Sequence, residues 1–184
     1  RARLHRRFYG QIKHVTIKQC ASGYYASFCV DVRENSVSMK PFSLDNAVGI
    51  DVGVHHFLTL SDGTHIEMPD VSRLQHRKAF LQRRLKHQQP TSKGYEKTKL
   101  QIAKLSERIS NIRRDFHHQT AAEICKKYSA ICMETIHVAG MRQHVGKDKD
   151  AKNRGFNRKL ANVGLAQFSN FIEQKAKDTG THFC

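Results

Sequence analysis

The stretch "AVGIDVGVHHFLTLSDGTHIE" (residues 47–67) decides how this chain is read. Its Val and Ile positions suit a buried strand, yet Asp51 stands in the middle with Gly49 and Gly53 on either side. Burying an ionised carboxylate costs more than the packing returns unless a partner is present. Asp51 therefore points to a ligand. "VGIDVGV" and "FLTLS" read as two strands, Asp62-Gly63 as a favoured hairpin turn, and "THIEM" as a returning third strand. Residues 48–68 are thus expected to form a three-stranded antiparallel meander.

Upstream, "IKHVTIKQ" alternates with Val15 and Ile17 on one side, and "YYASFCVDV" places Ala26, Phe28, Val30 and Val32 on one face. A β-hairpin turning at Ser22-Gly23 follows. Residues 33–46 are polar, contain Pro41 and read as a linker. Downstream, Val71, Leu74, Leu81 and Leu85 have helical spacing, with Asp70 or Ser72 as cap. "PTSKG" breaks that helix. A second helix is expected over 95–127, marked by Leu105, Ile109, Ile112, Phe116 and Ile124. The two helices suit an antiparallel hairpin.

"SAICMETI" is a short apolar run and reads as a buried strand with Glu134 ending its apolar part. Residues 140–158 are Gly- and Lys-rich without periodicity and read as a basic loop. Leu165, Phe168, Ile172 and Ala176 mark an amphipathic helix that stops at Gly180, and "THFC" opens another strand. A strand returning after a helical crossover lies parallel to the first. If "AICME" pairs beside "GIDVG", Asp51 and Glu134 come together. Two such carboxylates can hold a divalent metal, and oxygen-only ligation suits Mg²⁺ or Mn²⁺. The flanking glycines leave room for a phosphodiester.

Charge names the partner class. The 184 residues carry 32 Lys+Arg against 16 Asp+Glu, a net +16 with histidine neutral. Nucleic acid is the simplest partner for that excess, with an anionic membrane as the competitor. No apolar run reaches membrane-spanning length and no signal-peptide pattern opens the chain, so the expectation is a cytoplasmic nucleic-acid protein without a membrane partner. Residues 71–114 hold thirteen Lys or Arg and only Glu96 and Glu107 as acids. Such a one-sided face suits phosphate better than solvent. The bases singled out are Arg73, Arg77, Lys78, Arg83, Arg84, Lys86, Lys97, Lys104, Arg108, Arg113 and Arg114, with Lys147, Lys149 and Arg154 from the basic loop. Tyr24, Tyr25 and Phe156 could stack on bases. Five cysteines (20, 29, 125, 132, 184) form no C-x-x-C pair and read as buried thiols, Cys125 and Cys132 among them as core. The His pairs 55–56 and 117–118 read as surface or core histidines, since adjacent residues point different ways.

With these pieces in order, the chain resembles the transposon-encoded TnpB (OrfB) family of RNA-guided nucleases, related to type V CRISPR effectors. The resemblance rests on "GQIKHVTIKQCASGYYASFCV", "VGIDVGVHHFLTLSDG", "LQRRLKHQQPTSKGYEKTKLQIAKLSERISNIRRDFHHQTA", "METIHVAGM" and "NRKLANVGLAQFSNFIEQKAKDTG". It implies an α/β, RNase H-like (RuvC-like) domain over 47–184, incomplete at its C-terminus. Residues 1–46 would be the C-terminal part of a wedge-like β domain, and the basic helical hairpin would be an insertion in the nuclease fold. Asp51 matches the first metal-binding carboxylate and Glu134 the second. DNA and guide RNA are the implied partners, Mg²⁺ or Mn²⁺ the cofactor. The family's third Asp and its zinc ribbon lie beyond these motifs, and Asp178 is not a stand-in. Metal-dependent cleavage is expected of the intact protein. A binding-only remnant is the alternative, and an actin-like phosphotransferase, which also opens with GID-x-G, is a distant third.

Overall fold

The computed structural model describes residues 10–31, 37–53, 56–134 and 163–184. The chain divides into two compact units. One comprises Arg1–Ser36 with Val71–Ser110, the other Val37–Asp70 with Asn111–Cys184.

In the first unit, β1 (Gln11–Cys20) and β2 (Gly23–Asp31) form the expected antiparallel hairpin, with an irregularity between Ile12 and His14. Val15 pairs with Phe28 and Ile17 with Ala26, so the apolar positions do share a face. That face is largely open: Ile17 is 73% exposed. The turn is held by Glu107, whose carboxylate accepts from the Ser22 amide at 3.0 Å and from the Ser22 hydroxyl. Helix α1 (Ser72–Lys86) starts between the two expected caps. Its N-cap position is Val71, which has no capping side chain, so neither Asp70 nor Ser72 takes that place. Helix α2 (Lys93–Lys127) begins after Ser92, whose hydroxyl accepts from the Tyr95 amide at 3.1 Å. The helix continues into the second unit.

The second unit is built on a mixed five-stranded sheet, ordered β5-β4-β3-β6-β7. Strands β3 (Ala47–Val52), β4 (Leu58–Leu60) and β5 (His65–Ile66) make the expected antiparallel meander. Strands β6 (Ala130–Met133) and β7 (His182–Phe183) lie parallel to β3, each returned by a helical crossover. Side chains alternate across a strand. Val48, Ile50, Leu58, Leu60 and Ile131 are buried in one core. Helix α3 (Leu165–Thr179) adds Leu165, Phe168, Ile172 and Ala176, and the C-terminal half of α2 adds Ala121, Ile124 and Cys125. Steps of three and four put these residues on one helical stripe.

Two features tie the ends of the elements together. Residues 37–43, expected as linker, form a strap. The Lys40 amide donates to the Gly180 carbonyl at 2.7 Å, and His182 Nε2 donates to the Lys40 carbonyl at 2.9 Å. Lys40 Nζ donates to the carbonyls of Cys125 and Tyr128, at the C-terminal end of α2. A cation there satisfies carbonyls that the helix leaves without partners. Gly180 is the C-cap of α3 with φ +66°, and a Cβ there would stand 2.2 Å from the Ser38 carbonyl oxygen. At the meander's turn, Asp62 accepts from the Tyr128 hydroxyl, from Lys127 Nζ at 2.9 Å and from the Thr64 amide at 2.9 Å. The Tyr128 hydroxyl first, then Lys127 and Thr64, hold the Asp62 carboxyl well below the usual carboxylate range.

Candidate metal and nucleic-acid site

The site follows from strand register. Ala47, Val48, Gly49 and Ile50 pair in order with Ala130, Ile131, Cys132 and Met133. The next step of the ladder sets Asp51 beside Glu134. Asp51 is also paired with Thr59 of β4, and Thr59 with His65 of β5. One transverse row therefore runs Glu134, Asp51, Thr59, His65. Alternation puts this row on the sheet face opposite the core. An open cleft of about 520 Å³ lies there, lined by Gly49, Asp51, Thr59, Ser61, Cys132, Glu134 and Cys184 together with Ile50, Leu60 and Met133.

The cleft sits at the carboxyl ends of two parallel strands. It also sits where the chain leaves β3 to one side and returns through β6 on the other. In open α/β sheets this reversal of strand order is where ligands bind.

Asp51 is exposed, not buried. Desolvation, the reason for expecting a ligand at Asp51, is therefore not at work there. The strand is half-buried: Val48 and Ile50 face the core, and Asp51 faces the cleft. Glu134 is exposed as well. Neither carboxylate has a salt-bridge partner among the described residues. Neither is committed to a structural ion pair. No group of three His, Cys, Asp or Glu among the described residues is placed to hold a metal. The donor chemistry suits a hard divalent cation, and the pair supplies two of the oxygens such an ion needs.

Gly49 donates its amide to Ser61 Oγ at 3.0 Å. A Cβ at Gly49 would meet Ser61 Cβ at 3.6 Å, an ordinary contact, so the glycine serves the cleft's openness and not the strand's backbone. Thr59, Ser61 and His65 were not singled out from the sequence. The signal was present: the Asp62-Gly63 turn fixes the β4–β5 register and hence their face.

The basic residues separate into three groups. Arg73, Arg77, Arg83, Arg84 and Lys86 on α1 are exposed, as are Lys97, Lys104 and Arg108 on α2, while Lys78 is half-buried. These belong to the first unit. Arg114 (exposed) and Arg113 (half-buried) lie in the second. Lys147, Lys149 and Arg154, like Phe156, lie outside the described residues.

Tyr24 and Tyr25 are both exposed on β2, where alternation sends them to opposite faces. His56 is exposed, with Nδ1 bonded to Glu67 and its ring stacked on His65 at 4.5 Å; His55 lies outside the described residues. His118 is exposed, and its ring stacks on Phe171 at 3.9 Å. His117 is fully buried and stacks on Phe57 at 5.1 Å. Neither ring nitrogen of His117 makes a hydrogen bond among the described residues. Burial first, then the Arg113 and His118 charges, lower its pKa to about 4, and the Val163 backbone opposes this only in part. Cys125 is buried as expected, and burial raises its thiol pKa. Cys132 is not core. It is exposed on the cleft face and bonded to Cys184, the residue that follows β7. The strand parity of "AICME" that sends Glu134 to the cleft sends Cys132 there too.

The geometry is that of an α/β protein with carboxylates gathered at a strand-order switch point. A family model described as "Probable transposase" (OrfB_IS605) matches residues 27–145. The chain belongs to this OrfB transposase family. It is 32% identical over 172 residues to "Putative RNA-guided DNA endonuclease InsQ" of Escherichia coli (strain K12), covering 89% of this chain and 42% of that protein. It is 25% identical over 143 residues to a "Putative RNA-guided DNA endonuclease" of Streptomyces pristinaespiralis, covering 77% of this chain and 33% of that protein. The chain thus spans less than half the length of these relatives. Two solved structures share the fold, both at 20% identity. One is a CRISPR-Cas12f ternary complex (TM-score 0.51, 92% of this chain, 34% of that one). The other is a Cas12f1–sgRNA–target DNA complex (TM-score 0.56, 95% and 35%). Family membership removes the actin-like phosphotransferase reading. Among the described residues, no helix is long and apolar enough to cross a membrane.

Proposed function

We propose that this chain is the nuclease-core segment of an RNA-guided DNA endonuclease, with an RNase H-like (RuvC-like) arrangement over 47–184 and part of a wedge-like β domain over 1–46. The observation that carries the reading is the β3–β6 register, which sets Asp51 beside Glu134 on an open cleft. In this role the two carboxylates are metal ligands. A bound Mg²⁺ or Mn²⁺ would activate a water and stabilise the oxygens of the scissile phosphodiester. The residues of the chain do the rest. Asp51 and Glu134 fix the ion's place, and Thr59 and Ser61 offer hydroxyls along the same face. The exposed bases of α1 and α2 neutralise backbone phosphates of DNA and guide RNA. Zinc belongs only to the family's ribbon, outside this chain's motifs. The setting is the cytoplasm, where guide and target meet.

The test is cleavage by the intact protein carrying Asp51→Ala or Glu134→Ala, with guide RNA, target DNA and Mg²⁺. Loss of cutting with binding retained supports the reading. Unchanged cutting in both variants ends it.

The second reading, a module that binds nucleic acid without cutting it, draws on one observation: the described residues bring only two carboxylates to the cleft. It predicts steeply salt-dependent binding and no turnover with either metal.

A further inference from the structure

Cys132 on β6 and Cys184, just past the end of the parallel strand β7, lie one step beyond the Ile131–Phe183 pair, and both line the cleft that holds Asp51 and Glu134. Their Cα atoms are 4.8 Å apart, inside the range of about 4.4–6.8 Å that a disulfide spans without backbone movement, and the two are bonded. Both residues are exposed, so a small thiol or disulfide can reach them. Cys184 Sγ lies 3.6 Å from the Ile131 carbonyl oxygen, an acceptor for its thiol once the bond is opened. The strand they staple has only two residues, His182–Phe183. Cys132 is two positions before Glu134, which follows directly on the end of β6, and both line the cleft.

We propose that Cys132 and Cys184 form a reversible thiol–disulfide pair that controls cation binding at the adjacent carboxylates. The step is an exchange with a low-molecular-weight disulfide. A Cys132 or Cys184 thiolate attacks one sulfur of that disulfide, forming a mixed disulfide and releasing one small thiolate. The second cysteine thiolate attacks the protein sulfur of the mixed disulfide and releases the other. Two protein thiols are oxidised to one disulfide, one small disulfide is reduced to two small thiols, and the two cysteine protons pass to the departing thiolates. The closed form fastens β7 to β6 and holds the strand end that carries Glu134 in register with Asp51. The open form leaves that end to be ordered by the cation itself, which weakens binding. The coupling to the cation rests on the metal reading of Asp51 and Glu134. The exchange itself does not.

The experiment uses the full 184-residue chain, equilibrated with oxidised glutathione or with dithiothreitol, then alkylated and mapped by mass spectrometry. Cys29, exposed and free, reports on reagent access, and buried Cys125 on unfolding. The expected result is a Cys132–Cys184 linked peptide, lighter by two hydrogens, formed with oxidised glutathione and lost with dithiothreitol, while Cys125 stays unlabelled in both. Separate glutathione adducts on Cys132 and Cys184 with no linked peptide would overturn the pairing, and a link that survives dithiothreitol would overturn its reversibility. Mn²⁺ binding is then measured by electron paramagnetic resonance on both forms and on Cys132→Ser. The closed form should bind about threefold tighter or better, with Cys132→Ser behaving like the open form under both conditions. Equal affinity of the open and closed forms overturns the coupling. Asp51→Asn separates the two claims: if it leaves Mn²⁺ binding intact in both forms, the carboxylate reading has failed, whatever the thiols do.

Discussion

Ile50 of β3 and Met133 of β6 are partners in a parallel ladder, and that single pairing brings together two carboxylates far apart in sequence. One residue further along each strand, Asp51 and Glu134 face the same cleft. Removing either should abolish a metal step without loosening the fold, since both side chains are exposed. Asp51→Asn and Glu134→Gln should change thermal stability by less than about 0.5 kcal/mol. In the intact protein each should lower the cleavage rate by at least about a hundredfold with nucleic-acid affinity unchanged. Paired melting and single-turnover cleavage measurements check both halves.

Lys40 is predicted to matter for stability although it is a polar residue in a segment that reads as linker. Its ammonium serves two carbonyls at the end of α2, and its backbone is fastened on both sides. Lys40→Met keeps the length of the side chain and removes the charge. It should cost about 1–2 kcal/mol in chemical denaturation, the scale of a charge-assisted hydrogen bond. A cost near zero would mean that the carbonyls find water instead.

Gly180→Ala should be worse. The left-handed backbone is one objection, and the Ser38 carbonyl at 2.2 Å from the new Cβ is a second. The strap would have to move, and with it the bonds of Lys40 and His182. A loss of about 2 kcal/mol or more is expected. Gly49→Ala is the contrast: its Cβ meets only ordinary van der Waals neighbours, so stability holds while the cleft narrows.

His117 predicts a pH dependence. Its folded-state pKa is lowered to about 4 from an ordinary 6.5, so the unfolded chain takes up a proton more readily than the folded one. The stability tied to neutral His117 is complete above pH 6.5 and is lost as pH falls toward 4. The scale is about 2–3 kcal/mol. Asp62 acts lower: its carboxyl is held ionised, so its contribution survives to the acid side of the ordinary carboxylate range and is lost below it. Denaturation midpoints of the parent chain and of His117→Leu between pH 7 and 4.5 separate the two, because the substitution should flatten the slope in that window.

The bases of α1 predict a salt signature. Arg83→Glu with Arg84→Glu should weaken binding to DNA of any sequence. The salt dependence should become shallower by about one unit of slope for each phosphate no longer neutralised. Binding titrations at several salt concentrations give that slope directly. An unchanged slope would remove this face from the interface.

The sequence by itself determined the elements and their partners in sign. Alternation in "YYASFCV", the Asp62-Gly63 turn, the three-four spacing on α2 and α3 and the Gly180 stop are local rules, and each appears in the structure where the chain put it. The parallel return of "AICME" beside "GIDVG" was also legible, since a helical crossover leaves few other choices. What the sequence could not decide was whether the second face of the sheet is covered. Val48, Ile50 and Ile131 share one parity and Asp51 and Cys132 the other, but a short apolar parallel strand can be covered on one face or on both. That made Asp51 look buried and Cys132 look like core, when both stand on the open face. The strap at 37–43 was equally hidden: its bonds run to the far ends of α2 and α3, and no local pattern encodes a meeting that only packed helix ends create. The candidate site follows from register, a property of two strands together that places Asp51 beside Glu134, and neither strand carries that information alone.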